Sequence, residues 1–326
     1  MNRCLGCLKD MDTTLKYCRA CTKHVFNNNR HIDPLLDFDR SKYTSIKYDM
    51  SRHFSISGVQ DKLSLKIEKN KFVPTEKGGE YILKPIPENR VPQFQSDIPA
   101  NEHLTMQIAK QVFRINTAEN ALIYFKDGEA AYIVKRFDVA NGVKTAQEDF
   151  CQLAQVSEET NGKNYKYDFS YEKAAEIINQ FCAASMIEME KYFFLILYNY
   201  FFSNADAHLK NFSLIQTVNK DYILTPAYDL LATSLHFPNE SRTALHLFTD
   251  FETESFKKNG FYKRDDFLSF AEILKIKQSR AVNFIEIFYQ SDEKCRNMIE
   301  RSYLSVDAKK QYLYLFADRL KAMKDY

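Results

Sequence analysis

The pattern of apolar and polar positions changes character near residue 148. Between about 44 and 140 the signals are strand-like. Lys62-Leu-Ser-Leu-Lys-Ile67 alternates with period two, and Glu80–Lys84 and Ala130–Lys135 are short β-rich runs. One helix interrupts them near Asn101–Val112, where Leu104, Ile108 and Val112 recur every four positions and mark one face. Beyond 148 the period becomes helical. Ser170 is placed to cap a helix through Ala174, Ile177 and Ile178, and Met186–Phe202 forms the next. Phe212–Ile215 and Tyr222–Leu224 read as a hairpin turning at Asn219-Lys220, and residues 264 to 325 hold at least three more helices, including Ser305–Met323. The pattern predicts an α+β, two-lobed plan. It has a small β-rich N-lobe over 31–147 and a larger, all-helical C-lobe over 148–326.

A third unit stands in front. Residues 1–30 are Cys-rich, and the polar run Asn27-Asn-Asn-Arg-His31 followed by Asp33-Pro34 reads as an exit linker. Four of the seven cysteines fall here, as Cys4-x2-Cys7-x10-Cys18-x2-Cys21. Two Cys-x-x-Cys pairs can close a tetrahedral S₄ site for a structural Zn²⁺, with His24 able to replace one Cys. Cys151, Cys182 and Cys295 are scattered through helical segments, which is a reducing-compartment pattern and not a disulfide framework. With 45 basic and 43 acidic residues the net charge is +2, so no overall field points to nucleic acid. The longest greasy stretch, Tyr192–Phe202, contains Asn199 and is too short to span a bilayer. There is no apolar h-region in the first 30 residues. These features together predict a cytoplasmic location and no membrane partner.

The chemistry-bearing residues gather in a few segments. Asn204-Ala-Asp-Ala-His-Leu-Lys-Asn211 is followed, eighteen positions later, by Asp229. Phosphoryl transfer from ATP needs a carboxylate to receive the hydroxyl proton, a neutral oxygen to hold Mg²⁺, and a second carboxylate to hold the metal against the phosphates. Asp206 and Asn211 stand five apart, as the Asp and Asn of a kinase catalytic loop do. Asp206 is therefore the candidate base, with Asn211 and Asp229 as metal ligands. Lys210 is placed to steady phosphoryl charge and His208 to orient the loop. Asp229 lies in the apolar frame Leu224–Leu231, where a carboxylate needs a partner. Lys84 ends an apolar strand, and Glu102 lies eighteen residues on at a helix start, like the strand-lysine and helix-glutamate pair of kinases. Ser55-Ile-Ser57-Gly58-Val59-Gln60-Asp-Lys62 precedes a strand and can aim backbone amides at phosphates, although a single glycine is a weak signal. His53, His103, His236 and His246 are isolated and read as structural or surface residues.

Five ordered segments carry a resemblance. Ser55–Lys62, Val134–Asp138, Gln147–Gln152, Asn204–Phe212 and Leu224–Asp229 are similar to the motif set of HipA-type serine/threonine kinases, toxins of bacterial toxin–antitoxin systems. The stretch ahead of Ser55 is too short for the N-terminal subdomain typical of HipA, and in this the chain is similar to the short HipT kinases. The resemblance implies a protein-kinase-like fold in which Asp206 is catalytic, Asn211 and Asp229 hold Mg²⁺, and Lys84 contacts ATP phosphates. It implies that Ser57, Gly58, Val59, Gln60 and Lys62 form the phosphate loop. Arg136 and Phe137 would lie on the segment whose backbone reads adenine, and Gln147 would contact nucleotide. Lys135 sits where HipA has Glu. Ser55 matches the autophosphorylated serine, and its pairing with Ser57 resembles the HipT arrangement. A phosphate there would add about two negative charges beside those of ATP. The implied substrate is a protein such as an aminoacyl-tRNA synthetase, the implied partner an antitoxin of HipB or HipS type, with no direct nucleic-acid contact. A small-molecule kinase, and an inactive binding module acting through the Cys-rich leader, are the alternatives.

Overall fold

A computed structural model describes residues 2–51, 61–140 and 142–324. Ser55, Ser57, Gly58, Val59 and Gln60 lie outside the described residues.

The leader pairs β1 (Asn2–Arg3) with β2 (Asp10–Met11) and continues into α1 (Arg19–His24) and α2 (Arg40–Ser51). A five-stranded antiparallel sheet follows, in the order β4 (Lys71–Pro74), β3 (Leu63–Glu68), β5 (Tyr81–Pro85), β7 (Ala130–Lys135) and β6 (Asn120–Tyr124). All three strand-like runs of the sequence are strands of this sheet. Period two explains its two faces. Tyr81, Leu83, Ala131 and Ile133 face a core shared with Cys4, Leu5, Tyr17, Cys21, Val25 and Phe26 of the leader. Tyr132 and Val134 face the other way, onto α3 (Ile98–Gln111). The leader is thus not packed on itself: its apolar side chains complete one face of the N-lobe sheet.

After the small ribbon β8 (Val139–Ala140) and β9 (Val143–Lys144), strand β10 (Gln147–Asp149) leads into the C-lobe. Its helices are α4 (Phe150–Leu153), α5 (Glu158–Asn161), α6 (Tyr171–Phe181), α7 (Ser185–Phe201), α8 (Glu254–Asn259), α9 (Arg264–Ile273), α10 (Gln278–Gln290), α11 (Asp292–Arg301) and α12 (Val306–Ala322). Ser170 caps α6 by accepting the Lys173 amide at 3.0 Å. The lobe is helical except for one small sheet, β10–β11–β12, in which β11 (Ser213–Gln216) and β12 (Tyr222–Leu224) are the expected hairpin. Its turn has no glycine. Lys220 takes the left-handed position, at φ 65°.

Helix α3 joins the lobes. Its apolar side chains belong to the same core as α6, α7 and α12. Its polar side chains are also buried, each with a partner: Asn101 on Ala232, Thr105 on Tyr312, and Gln107 on Asn120. Among the described residues no helix is long and apolar enough to cross a membrane.

Candidate active site

The site begins where α7 ends. Ser203 adopts the left-handed conformation (φ 54°) and turns the chain out of the helix, as a residue past a helix C-terminus often does. Asn204 then pins the turn: its Nδ2 donates to Asn199 Oδ1 at 2.8 Å and its Oδ1 accepts the Asp206 amide at 3.2 Å. Thr233 Oγ1 accepts the Ala205 amide and Tyr171 Oη donates to the Ala207 carbonyl. The loop is thus held by its backbone, which leaves the Asp206 side chain half-exposed.

Asp206 is the most open of these groups, with 51% of its side chain exposed. Tyr167 Oη donates to Asp206 Oδ1 at 2.5 Å. His208 Nε2 lies 3.9 Å from the same oxygen and accepts from Lys166 Nζ at 2.9 Å, which leaves the ring proton on Nδ1. Burial lowers the His208 pKa, and the neighbouring Lys166 adds to this against the pull of Asp206. Lys210 points away from Asp206 and pairs with Asp149 Oδ2 at 2.9 Å. Asp149 also caps α4 by accepting the Gln152 amide. Asn211 closes the loop. Its Oδ1 is buried and has no hydrogen-bond partner among the described residues. A buried carbonyl oxygen left without a donor is costly, and a hard cation would satisfy it.

The N-lobe contributes Lys84, only 3% exposed at the end of β5. Its Nζ donates to Glu102 Oε1 at 2.5 Å, on α3, and forms a second ion pair with Asp229 across the cleft. Burial alone would lower the lysine pKa, but the carboxylates of Asp229 and Glu102 outweigh it and keep the ammonium charged. Glu102, 2% exposed, is pushed up by burial, which Lys84 opposes. Asp229 keeps 32% of its side chain exposed. Its partial burial would raise its pKa, but Lys84 and then Lys62 hold the carboxyl well below the usual range, ionised at any physiological pH. Asp229 also takes a left-handed backbone (φ 54°), a conformation that costs a β-carbon residue about 1–2 kcal/mol. Strain of this kind persists only where the surroundings impose it, and it aims the carboxylate at Lys84.

The expected nucleotide-contacting residues line the seam between the lobes. Arg136 follows β7; its side chain pairs with Asp138 and its amide donates to the Glu80 carbonyl. The Phe137 ring packs on Tyr228 at 5.9 Å, and Tyr228 Oη donates to the Lys210 carbonyl, so the segment after β7 and the 204–211 loop are in contact through one residue. Gln147 lies on β10 opposite Ile215. The structure thus brings together Lys84, Glu102 and Asp229, with Lys62 near enough to act on Asp229. It leaves Lys210 on Asp149. Sequence reasoning missed Tyr167 and Lys166, neither of which carries a motif signal, and gave no role to Asp149, although it lies within the Gln147–Gln152 segment; only the fold brings Tyr167 to Asp206.

The four leader cysteines also come together. Their sulfurs all lie within 4.8 Å of one another, with Cys4 and Cys21 buried and Cys7 and Cys18 half-buried.

Comparison with known proteins fits this geometry. Residues 54–303 match the model of the HipA-like C-terminal domain. A protein of Haemophilus influenzae named as a putative kinase is 30% identical over 93% of this chain and 92% of its own length. The putative kinase Y4dM of Sinorhizobium fredii is 30% identical over 59% of this chain, which spans 48% of that protein. Among solved structures, the HipA of Shewanella oneidensis, determined with HipB and operator DNA, superposes with a TM-score of 0.64 at 22% identity, over 83% of this chain and 65% of its own. The proinflammatory kinase CtkA of Helicobacter pylori gives 0.52 at 15% identity, over 79% and 93%. The fold is therefore kinase-like, and this chain belongs to the family of the HipA-like C-terminal domain.

Proposed function

We propose that this protein transfers the γ-phosphoryl group of ATP to a serine or threonine hydroxyl of a protein. The observation that carries the reading is the buried Lys84–Glu102 pair joined to an ionised Asp229, together with a buried Asn211 oxygen that has no donor among the described residues. Lys84, fixed by Glu102, offers its ammonium to the phosphates. Lys62 adds charge from the start of β3. Asp206 stands at the open lip of the cleft and accepts the proton of the attacking hydroxyl. Asn211 and Asp229 offer a neutral and an anionic oxygen, a donor set suited to Mg²⁺. When bound, that ion neutralises charge on the β- and γ-phosphates. Serine specificity fits a lip at which Asp206 is half-exposed, within reach of a short side chain on a docked protein.

Several finer assignments rest on the family resemblance. We assign autophosphorylation to Ser55 and Ser57, as in HipT-type members, and phosphate binding to Ser57, Gly58, Val59, Gln60 and Lys62. Adenine contact falls to Arg136 and Phe137, with Gln147 nearby. The target is a translation protein of the aminoacyl-tRNA synthetase class, and the partner an antitoxin of HipB or HipS type. Operator DNA would be met only through that partner, since the balanced charge of this chain gives no basic field. The cytoplasm is the assigned site of action. The four cysteines serve as a structural zinc site, because a full thiolate set leaves no open position for catalysis.

The test is direct. Purified protein incubated with cell lysate and γ-labelled ATP should label a discrete protein, and mass spectrometry should find phosphate on Ser55 or Ser57. Absence of any label from the wild-type chain, with nucleotide bound, would reject kinase activity.

A further inference from the structure

The Cys-rich leader sits against the helix that carries Glu102. Gly6 lies between Cys4 and Cys7, and its carbonyl accepts a hydrogen bond from His103 Nε2 at 2.9 Å. His103 is fully buried and is the chain neighbour of Glu102. At the far end of the same helix, Gln111 Nε2 donates to the Cys7 carbonyl at 3.0 Å. The next carbonyl, that of Leu8, accepts from Arg301 Nη2 at 2.7 Å, and Arg3 Nη1 donates to the Arg301 carbonyl at 2.6 Å. Three successive carbonyls of one knuckle thus hold the middle and the C-terminal end of α3 and the end of α11. None of these bonds survives if the knuckle loses its shape.

What shapes the knuckle is sulfur. Four sulfurs about 2.3 Å from one zinc ion would lie about 3.8 Å apart; Cys7 and Cys18 Sγ are 3.7 Å apart. Cys4 Sγ accepts backbone N–H groups from Gly6 at 3.4 Å and Cys18 at 3.2 Å, contacts that favour a thiolate. A β-carbon on Gly6 would come within 2.7 Å of Cys21 Sγ, so the chain passes as close to the cluster as glycine permits. The segment's own secondary structure is slight, two-residue strands and one six-residue helix, so its shape rests on the sulfur cluster together with the packing of Leu5, Tyr17, Val25 and Phe26 on the sheet.

We propose that Cys4, Cys7, Cys18 and Cys21 bind one Zn²⁺ that acts as a clamp on α3, fixing Glu102 against Lys84 through the Gly6–His103 contact, with His103 as the positioning residue. The site and the clamp stand on the contacts above; the effect on phosphoryl transfer rests on the kinase reading. Loss of the metal frees the three carbonyls, loosens α3 and withdraws the glutamate that holds Lys84.

The test uses the full chain. Elemental analysis should find one zinc per chain, and a cobalt-exchanged sample should show the visible bands of a tetrahedral tetrathiolate site. Removing zinc with a mercurial and chelator should speed amide hydrogen exchange in residues 98–111 at least tenfold, leave residues 264–273 unchanged, and lower phosphoryl transfer at least tenfold. Because cysteine variants can fail to fold, His103→Ala is the second probe: it should keep its zinc, show the same faster exchange in 98–111 and a lower kcat, and His103→Gln, which can still donate to Gly6, should recover most of both. Substoichiometric zinc in the native chain, or unchanged exchange in 98–111 after zinc removal, overturns the proposal, as does a His103→Ala variant indistinguishable from wild type. A chain that binds zinc and shows the coupled exchange but transfers no phosphate would support the clamp and reject the kinase reading.

Discussion

Replacing Lys84 by Met keeps the packing of its stem and removes the one cation between Glu102 and Asp229. Asp229 can turn its exposed edge to water. Glu102 cannot: it is buried, and among the described residues no other cation bonds its carboxylate, Lys62 acting on it only from a distance. It must fold protonated. Holding a carboxyl of ordinary pKa 4.5 in its neutral form costs about 3.4 kcal/mol at pH 7 and about 1.4 kcal/mol at pH 5.5. The intact pair contributes little net stability, because desolvation offsets attraction. The expected loss is therefore about 3 kcal/mol at pH 7, shrinking as the pH falls. The sign follows from linkage: a carboxyl whose folded pKa is raised contributes stability that is fully present below the unfolded pKa and is lost as pH rises through the folded one. The double variant Lys84→Met/Glu102→Gln removes the titrating group and should recover all but about 1 kcal/mol, while remaining inactive. Urea denaturation of the three proteins at both pH values measures this. A single-variant loss that does not shrink at pH 5.5, or a double variant no more stable than the single, would refute the reasoning.

Asp206→Asn should cut phosphoryl transfer by about 10²–10⁴-fold with nucleotide binding and melting temperature unchanged, because the group is half-exposed and acts on the acceptor proton. Tyr167→Phe should improve acceptor KM by about two- to tenfold, the worth of one exposed hydrogen bond, since the Tyr167 hydroxyl occupies the Asp206 oxygen that an acceptor must reach; steady-state kinetics with a peptide acceptor reads this, and a weaker KM contradicts it. Asn211→Ala should raise the Mg²⁺ concentration needed for nucleotide binding while changing stability by less than about 0.5 kcal/mol, because the lost oxygen has no hydrogen-bond partner among the described residues. Glu240, accepting from Thr233 and Ser234, is pushed up to about 7, chiefly by burial, with Asp206 adding to it against the two hydroxyls. Its contribution to stability should be complete below pH 4.5 and lost as pH rises through about 7, roughly 1–2 kcal/mol after allowance for its partial exposure, and Glu240→Gln should flatten that slope in thermal melts.

The strands, the helices and the hairpin were legible because each follows a local rule. Period two marked β3, short β-rich runs marked β5 and β7, and Ser170 and Ser305 stand where helix caps should. The spacing of Asp206, Asn211 and Asp229 was legible because the three lie along one loop and the hairpin that follows it. The pairing of Lys84 with Glu102 was suggested by analogy and is made by the β5–α3 contact. What could not be read is nonlocal. Helix α3 showed one apolar face, yet Asn101, His103, Thr105 and Gln107 are all buried, because their partners come from the leader, β6, α12 and the segment after Asp229. Lys210 was expected to face the phosphates; Asp149, sixty-one residues away, pairs with it instead. The leader read as a separate unit because its cysteines form their own motif, whereas its apolar residues alternate too irregularly to disclose that they cover the N-lobe sheet.

A crystal structure with Mg²⁺ and a non-hydrolysable ATP analogue tests the central claim most directly. The account predicts a metal about 2.1 Å from Asn211 Oδ1 and from an Asp229 oxygen, Lys84 shared between Glu102 and the phosphates, and the γ-phosphate facing Asp206. A nucleotide bound with its metal on other residues, or with Asp206 turned away from the γ-phosphate, would contradict it.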